Sequence, residues 1–148
     1  MLRLSDLAKS VEMTPDMVSQ FATLAFMQAH IVAAMIHEVV IPSLPPAKRT
    51  FAESIARRIE RGAFLEEDAL RDFETFLDLL ERQIEGGTHL YWHGDENHVR
   101  GGYEAVYRER EASNLASAAT ELALLGDIIL ATLSAARAVR ETGSLIDS

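Results

Sequence analysis

Residues 14–41, TPDMVSQFATLAFMQAHIVAAMIHEVVI, form the stretch that decides the fold of this chain. Thr14 can cap a helix and Pro15 suits the first helical position, so the stretch predicts a helix that begins there. No Asp, Glu, Lys or Arg occurs between residues 17 and 36. A helix that is apolar on nearly every side is normally a buried one. We therefore expect a long central helix near the N-terminus of an all-α, single-domain bundle of four to six helices.

A helical wheel predicts which side of this helix is covered. One wide apolar face, which we expect to be buried, holds Met17, Val18, Phe21, Leu24, Ala25, Ile31, Val32, Met35 and Val39. The reverse side carries Ala22, Phe26, Ala29 and Ala33 beside two histidines.

Gln28 lies near the middle of the wide face. Because a buried amide needs partners, we expect Gln28 to bond a neighbouring helix or Gln28 of a second copy, which would fix the register.

Other polar residues of the apolar helices are candidates for an interface or a ligand groove. His30 and His37 are seven residues apart and share one side of the long helix, so they could lie along a groove. Asp127 lies on the small-residue side of the last helix. A buried carboxylate requires a partner, and the predicted partners are Arg137, His30 or His37.

Composition and charge limit the class of protein. A length of 148 residues fits one domain, 1–148, with a continuous core. The absence of cysteine excludes disulfides and thiolate sites. A net charge of −9 disfavours loose attraction to nucleic acid or to an anionic membrane. Asp6 precedes any hydrophobic run, and Gln20, Gln28 and His30 interrupt the long apolar stretch, so we expect a cytoplasmic protein that does not cross a membrane.

Two helices with opposite charge follow the proline-rich segment 42–46. The second helix is predicted to run to about Arg61, with a capping box of Thr50 and Glu53, and to end at Gly62. The third is predicted for about residues 66–85, with one apolar side made of Ala69, Phe73, Phe76, Leu77, Leu80 and Ile84. Residues 48–61 carry a net charge of +3 and residues 66–85 a net charge of −6. This opposition favours an antiparallel hairpin.

Residues 86–102, GGTHLYWHGDENHVRGG, predict a glycine-flanked loop that contains the only tryptophan, Trp92. His89, His93, His98 and Asp95 could supply nitrogen and oxygen ligands to a divalent metal such as zinc. The alternative is a surface loop without a metal, whose Trp92 folds over the bundle end or meets a partner.

The N-terminal residues 4–21 resemble the helix-turn-helix of DNA-binding regulators. The resemblance rests on Ala8 at the helix crossing, on Thr14-Pro15 opening the second helix, and on apolar packing positions at Leu7, Val11, Met13, Val18 and Phe21. It implies a DNA-binding regulator. The turn position that is usually glycine holds Glu12, which would need a left-handed conformation. The alternative is two helices that meet at a turn.

A second resemblance involves Arg82 and His89. Their order and spacing resemble the Arg-then-His signature of bundle-type ribonucleases called HEPN domains. The glycine pair Gly86-Gly87 falls between them, and we expect it to end the third helix, so that the two side chains would not share one helix.

The last apolar segment, residues 103–141, is helical in pattern throughout. An unbroken helix of this length would exceed a compact domain, so we expect a break near Ser113-Asn114. Because the first long helix and the last are both apolar on more than one face, we predict a homodimer. The predicted function is a non-enzymatic interaction or regulatory module without a cofactor. The alternatives are a metal-dependent hydrolase or nuclease that uses the histidine segment, and a DNA-binding regulator.

Overall fold

The computed structural model describes the backbone at residues 3–93 and 98–147 and the side chains at residues 3–85 and 112–142. The described backbone forms five helices and no strand, so the predicted all-α class is confirmed. The helices are α1 (Leu4–Ser10), α2 (Pro15–Met35), α3 (Pro46–Glu60), α4 (Glu67–His93) and α5 (His98–Asp147). A π-helical turn at Ile36–Val40 and a short α-helical turn at Ile41–Ser43 extend α2.

Both ends of α2 follow from local chemistry. The hydroxyl of Thr14 accepts a hydrogen bond from the Met17 amide at 3.3 Å, with Pro15 in the first turn, as predicted. Near the other end, Pro42 has no N–H to give to a carbonyl one turn earlier. The helix widens just before it, where the Ile41 amide donates to the Ile36 carbonyl five residues back. Leu44 then adopts an extended conformation ahead of Pro45 and ends the segment.

The buried side of α2 is only partly the predicted one. Ala29 and Ala33, which the wheel placed on the reverse side, are buried, whereas Leu24 and Ile31 from the wide face are 44% and 48% exposed. Alanines let helix backbones approach closely, and α2 packs against both α5 and α3. The covered side of α2 therefore includes small residues, while bulkier ones are left outside.

The α3–α4 connection is a hairpin held by charge and by glycine. Gly62 adopts φ +74 after α3, with its amide donating to the Ile59 carbonyl and the Ala63 amide donating to the Arg58 carbonyl. This pair of bonds is the glycine-ended C-cap known as the Schellman motif. Arg58 also pairs with Asp72 at 2.6 Å and with Glu66 at 3.2 Å, as the opposite charges of the two helices predicted.

The predicted capping box of α3 is wrong. The helix begins at Pro46, so Thr50 and Glu53 lie inside it. Proline suits the first turn because its missing N–H has no intrahelical partner there, and the helix starts five residues earlier than a cap at Thr50 would place it.

The predicted glycine-flanked loop is largely helical, so that part of the expectation is wrong. Helix α4 continues through Gly86 and Gly87 to His93, and α5 begins at His98 and contains Gly101 and Gly102. Glycine costs a helix roughly 1 kcal/mol relative to alanine, but it can adopt helical angles, and a helix already formed gains one hydrogen bond per added residue. One consequence is that Arg82 and His89 belong to one helix, against the prediction that the glycine pair separates them.

Helix α5 is unbroken over 50 residues, about 75 Å at the helical rise. The predicted break near Ser113-Asn114 is therefore wrong. Both residues are exposed, and their lower helix propensity costs only a few tenths of a kcal/mol each. The Ser117 hydroxyl donates to the Ser113 carbonyl one turn earlier, so this polar stretch is accommodated within the helix.

The main core lies where α2 and α4 meet α5, with α3 packed on α2 and α4. Its largest fully buried side chains are Phe64, Phe76, Ile36, Ile55, Leu80, Leu125, Ile129, Val32 and Val40. The predicted seam of the last helix is buried at Leu115, Leu122 and Ile129. A smaller cluster holds the N-terminus: Ala8, Met13 and Phe21 pack against Ala131 and Ala135 of α5.

Candidate interaction surface

Gln28 joins the two most apolar helices. Its side chain is 7% exposed, and its Nε2 donates to the Glu121 backbone carbonyl at 2.9 Å and to the Glu121 carboxylate at 2.5 Å. The prediction that Gln28 bonds a neighbouring helix is confirmed. Because an amide left without these acceptors would cost about 1–3 kcal/mol, the pair fixes the register of α2 against α5.

An uncovered apolar stripe lies beside this bond. We define the stripe as Leu24, Met27 and Ile31, which are 44%, 61% and 48% exposed. Residues three or four apart share a helix face, so the three form one row. Leu24 and Ile31 lie four residues before and three residues after Gln28, which places the row next to the Gln28–Glu121 contact.

Helix α5 adds a further apolar residue near the stripe. Leu124 is 46% exposed and lies three residues after Glu121, on the part of α5 that Gln28 contacts. The wheel placed Leu24 and Ile31 in the core and did not select Met27 or Leu124. The three-residue and four-residue spacing of Leu24, Met27 and Ile31 shows that they form a row, but the sequence does not show that neighbouring helices leave this row uncovered.

Phe26 is exposed to a similar degree but belongs to another surface. Its ring meets that of Phe64 edge to face, with ring centroids 4.8 Å apart. Its Cε1 also lies 3.7 Å from the position that a side chain at Gly62 would occupy. Phe26 therefore covers the α3–α4 connection and is not part of the stripe.

Asp127 has a structural partner that the sequence did not indicate. Its carboxylate accepts hydrogen bonds from the backbone amides of Leu4 at 2.9 Å and Ser5 at 3.4 Å, and from the Ser5 hydroxyl. The predicted partners, Arg137 and the two histidines, are wrong; Arg137 pairs with Glu67 at 3.1 Å. Ser5 itself lies within α1, and Asp127 satisfies the first amides of that helix from outside.

The two histidines of α2 do not share one contact. His37 lies in the π-helical turn, and its Nε2 is 2.6 Å from a carboxylate oxygen of Glu60 at the end of α3. Both side chains of this pair are half exposed. His30 is exposed about two turns earlier, beside the stripe. A groove that uses both imidazoles is thus not formed by the described contacts.

Residues 4–21 form two helices joined by a turn, but the turn differs from the one that the helix-turn-helix resemblance requires. Val11 is extended, and no described residue other than glycine has a positive φ, so Glu12 does not adopt the left-handed conformation. Of the expected packing positions, Met13 and Phe21 are buried while Leu7 and Val11 are 37% and 43% exposed.

The candidate metal ligands fall outside the described side chains. This applies to His89, His93 and His98, and also to Trp92; Asp95 lies outside the described backbone as well. The backbone does place His89 and His93 four residues apart on α4. Among the residues whose side chains are described, no group of three or more histidines and carboxylates could hold a metal ion.

Two segments have the length and composition of a membrane span. They are Pro15–Ser43, of 29 residues, and Ala112–Thr142, of 31 residues; in each, 39% of the most apolar window is buried. The core helix of a soluble protein passes the same test, so length and composition leave both environments open.

Comparison of the chain with family models, with curated proteins and with solved structures finds no match.

Proposed function

We propose that this protein is a non-enzymatic interaction module that forms a homodimer through the stripe on α2 and the neighbouring surface of α5. The observation that carries the proposal is the row of Leu24, Met27 and Ile31, each about half exposed beside a tight contact between two helices. A contiguous row of exposed large apolar side chains is typical of an interaction site, whereas single ones are ordinary.

The chemistry of this surface suits a second copy of the chain. The protein carries a net charge of −9, so two copies repel each other unless their contact avoids acids. No charged residue occurs in α2 between residues 17 and 36, so a two-fold axis through the stripe would bring no charges of α2 together. The acid nearest to the stripe, Glu121 of α5, accepts a hydrogen bond from Gln28. The more acidic helix, α4, packs on α3 and α5.

The size of the stripe predicts a reversible dimer. Covering the exposed parts of the three side chains is worth about 3 kcal/mol per protomer, if full burial of each is worth about 2 kcal/mol. Association itself costs at least about 4 kcal/mol, so the stripe alone would not hold two copies together tightly. A dissociation constant on the order of 10–100 μM corresponds to about 6 kcal/mol net, so the proposed dimer requires Leu124 and further surface of α5 to contribute to the contact.

The polar contacts support a water-soluble dimer over a membrane-spanning pair. Asp127 and Glu121 lie within the second apolar segment, where Asp127 binds the start of α1 and Glu121 binds Gln28. The α1 helix, packed against that same segment, places exposed Lys9 and Asp6 beside it. We propose a cytoplasmic location on the same grounds.

The test is sedimentation equilibrium of the full chain without detergent. The mass should rise from the 16.4 kDa of one chain toward twice that value between low and high micromolar concentration. Met27→Glu should remain monomeric throughout, because it places two carboxylates at the contact. The matched control is Ser54→Glu, which adds the same charge at an exposed position on α3.

Three results would overturn the proposal. The first is a wild-type chain that stays monomeric at high micromolar concentration, and the second is a Met27→Glu variant that dimerises like the control. The third is a chain that cannot be extracted from membranes without detergent, which would indicate that the two apolar segments span a bilayer.

A further inference from the structure

A groove between the start of α3 and the middle of α4 has an apolar floor and a charged rim. It has a volume of about 360 Å³ and is lined by Lys48, Phe51, Thr75, Asp78, Leu79 and Arg82. Phe51 is held in place by Phe76, whose ring meets it edge to face with centroids 5.8 Å apart. Because Phe76 is fully buried, this side of the groove is anchored to the core.

Neither cation of the groove has an ion-pair partner among the residues whose side chains are described. Lys48 and Arg82 share this with other exposed cations such as Arg57 and Arg61, and differ from them in lining one concave surface. Asp78 precedes Arg82 by one helical turn and lines the same groove, yet it is not within ion-pair distance. Two cations from different helices thus face one concave surface in a protein with 23 acidic residues.

We propose that this groove binds a small amphipathic monocarboxylate, with its carboxylate between Lys48 and Arg82 and its hydrocarbon body on Phe51 and Leu79. Lys48 lies in the first turn of α3, where the helix dipole adds positive potential. The volume is at the lower end for ligand pockets and suits a body of about six to eight carbons. The Asp78 carboxylate repels a second negative charge, so a dianion is disfavoured.

This site is separate from the dimer proposed above and does not depend on it. The stripe lies on α2, whereas the groove is built by α3 and α4 alone. A negative result for one proposal would not affect the other. The amide NMR signals that a bound probe shifts show whether it lies on the stripe or in the groove.

The test is titration of the full chain with hexanoate, followed by amide NMR spectra, with 1-hexanol as the uncharged probe of the same length. Hexanoate should shift the amide signals of Lys48, Phe51, Leu79 and Arg82, and should bind more tightly than 1-hexanol. Lys48→Gln and Arg82→Gln should each raise the dissociation constant about threefold to fivefold, as expected for one partly exposed ion pair.

Arg57→Gln is the matched control. Arg57 is an exposed cation on α3 outside the groove, and no carboxylate among the described side chains pairs with it. Its removal changes the net charge equally and should leave hexanoate binding unchanged. The proposal is overturned if Arg57→Gln weakens binding as much as Lys48→Gln, or if 1-hexanol binds as tightly as hexanoate. It is also overturned if the shifts fall on the stripe instead, or if tens of millimolar hexanoate shift no signal.

Discussion

Replacing Asp127 by alanine removes the acceptor that joins the N-terminal helix to the rest of the protein. The Asp127 carboxylate binds the Leu4 amide at 2.9 Å, the Ser5 amide at 3.4 Å and the Ser5 hydroxyl. A helix of seven residues does not persist by itself in water, so α1 exists because it is docked on α5. We therefore expect Asp127→Ala to release α1.

The size of the effect can be worked out from these contacts. A hydrogen bond to a charged acceptor contributes about 1.5–3 kcal/mol, and the loss of a helix cap costs about 1 kcal/mol. The 3.4 Å contact is weak, and the other two share one carboxylate, so they do not add fully. We expect the free energy of unfolding to fall by about 2–4 kcal/mol. If α1 undocks before the rest unfolds, the loss is limited to the docking free energy of that helix.

Urea denaturation and amide hydrogen exchange together measure this effect. Amide exchange should accelerate across Leu4–Ser10 in Asp127→Ala. In the buried core of α3 and α4, the opening free energy measured by exchange should still equal the global unfolding free energy of the same variant. Two control variants remove only part of the Asp127 contact. Ser5→Ala removes only the hydroxyl donor and should cost about 1 kcal/mol, and Asp127→Asn keeps one acceptor oxygen and should cost less than alanine.

The reasoning is refuted if Asp127→Ala lies within about 0.5 kcal/mol of wild type, which is the range of an ordinary surface substitution. It is equally refuted if exchange accelerates uniformly over all helices without a larger effect in α1, because α1 would then be held by its apolar contacts alone.

Three further substitutions test other contacts. Gly62→Ala should destabilise the protein by about 1 kcal/mol in thermal unfolding because φ is +74 there, although the added methyl group would lie at an ordinary contact distance, 3.7 Å, from Phe26. Arg58→Gln should cost about 1–2 kcal/mol in urea denaturation, since Arg58 is 18% exposed and holds Asp72 and the α3–α4 connection; a change below 0.3 kcal/mol would contradict this. Gln28→Met should cost about 1 kcal/mol in urea denaturation, because it leaves Glu121 without its hydrogen-bond donor. An unchanged or raised urea midpoint would show that the buried amide is dispensable.

Helix starts and stops were predictable where one residue has strong local chemistry. Thr14-Pro15 opens α2, and Gly62 closes α3 with a positive φ. These signals act within one turn and need no tertiary partner. Weaker signals failed: Thr50, Ser113-Asn114 and the glycine pair at 86–87 each favour an end by about 1 kcal/mol or less, which continued helix formation and packing can exceed.

The partners of the candidate site residues could not be predicted from the chain alone. Asp127 and Leu4 are 123 residues apart, and Gln28 and Glu121 are 93 apart. The sequence required that each buried polar group have a partner, because an unpaired one is costly, but many donors and acceptors could have met that need. Which donors and acceptors pair is set by the docking of α1 on α5 and by the register of α2 on α5.

From the amino-acid sequence alone it follows that the chain is helical, that two of its helices are unusually apolar, and that α3 and α4 carry opposite charges. Which faces of those apolar helices are covered depends on how the helices pack in the folded protein. Periodicity shows where apolar side chains lie around a helix, but the direction of approach depends on which neighbours can come closest. Here small Ala29 and Ala33 are buried while Leu24, Met27 and Ile31 are left half exposed.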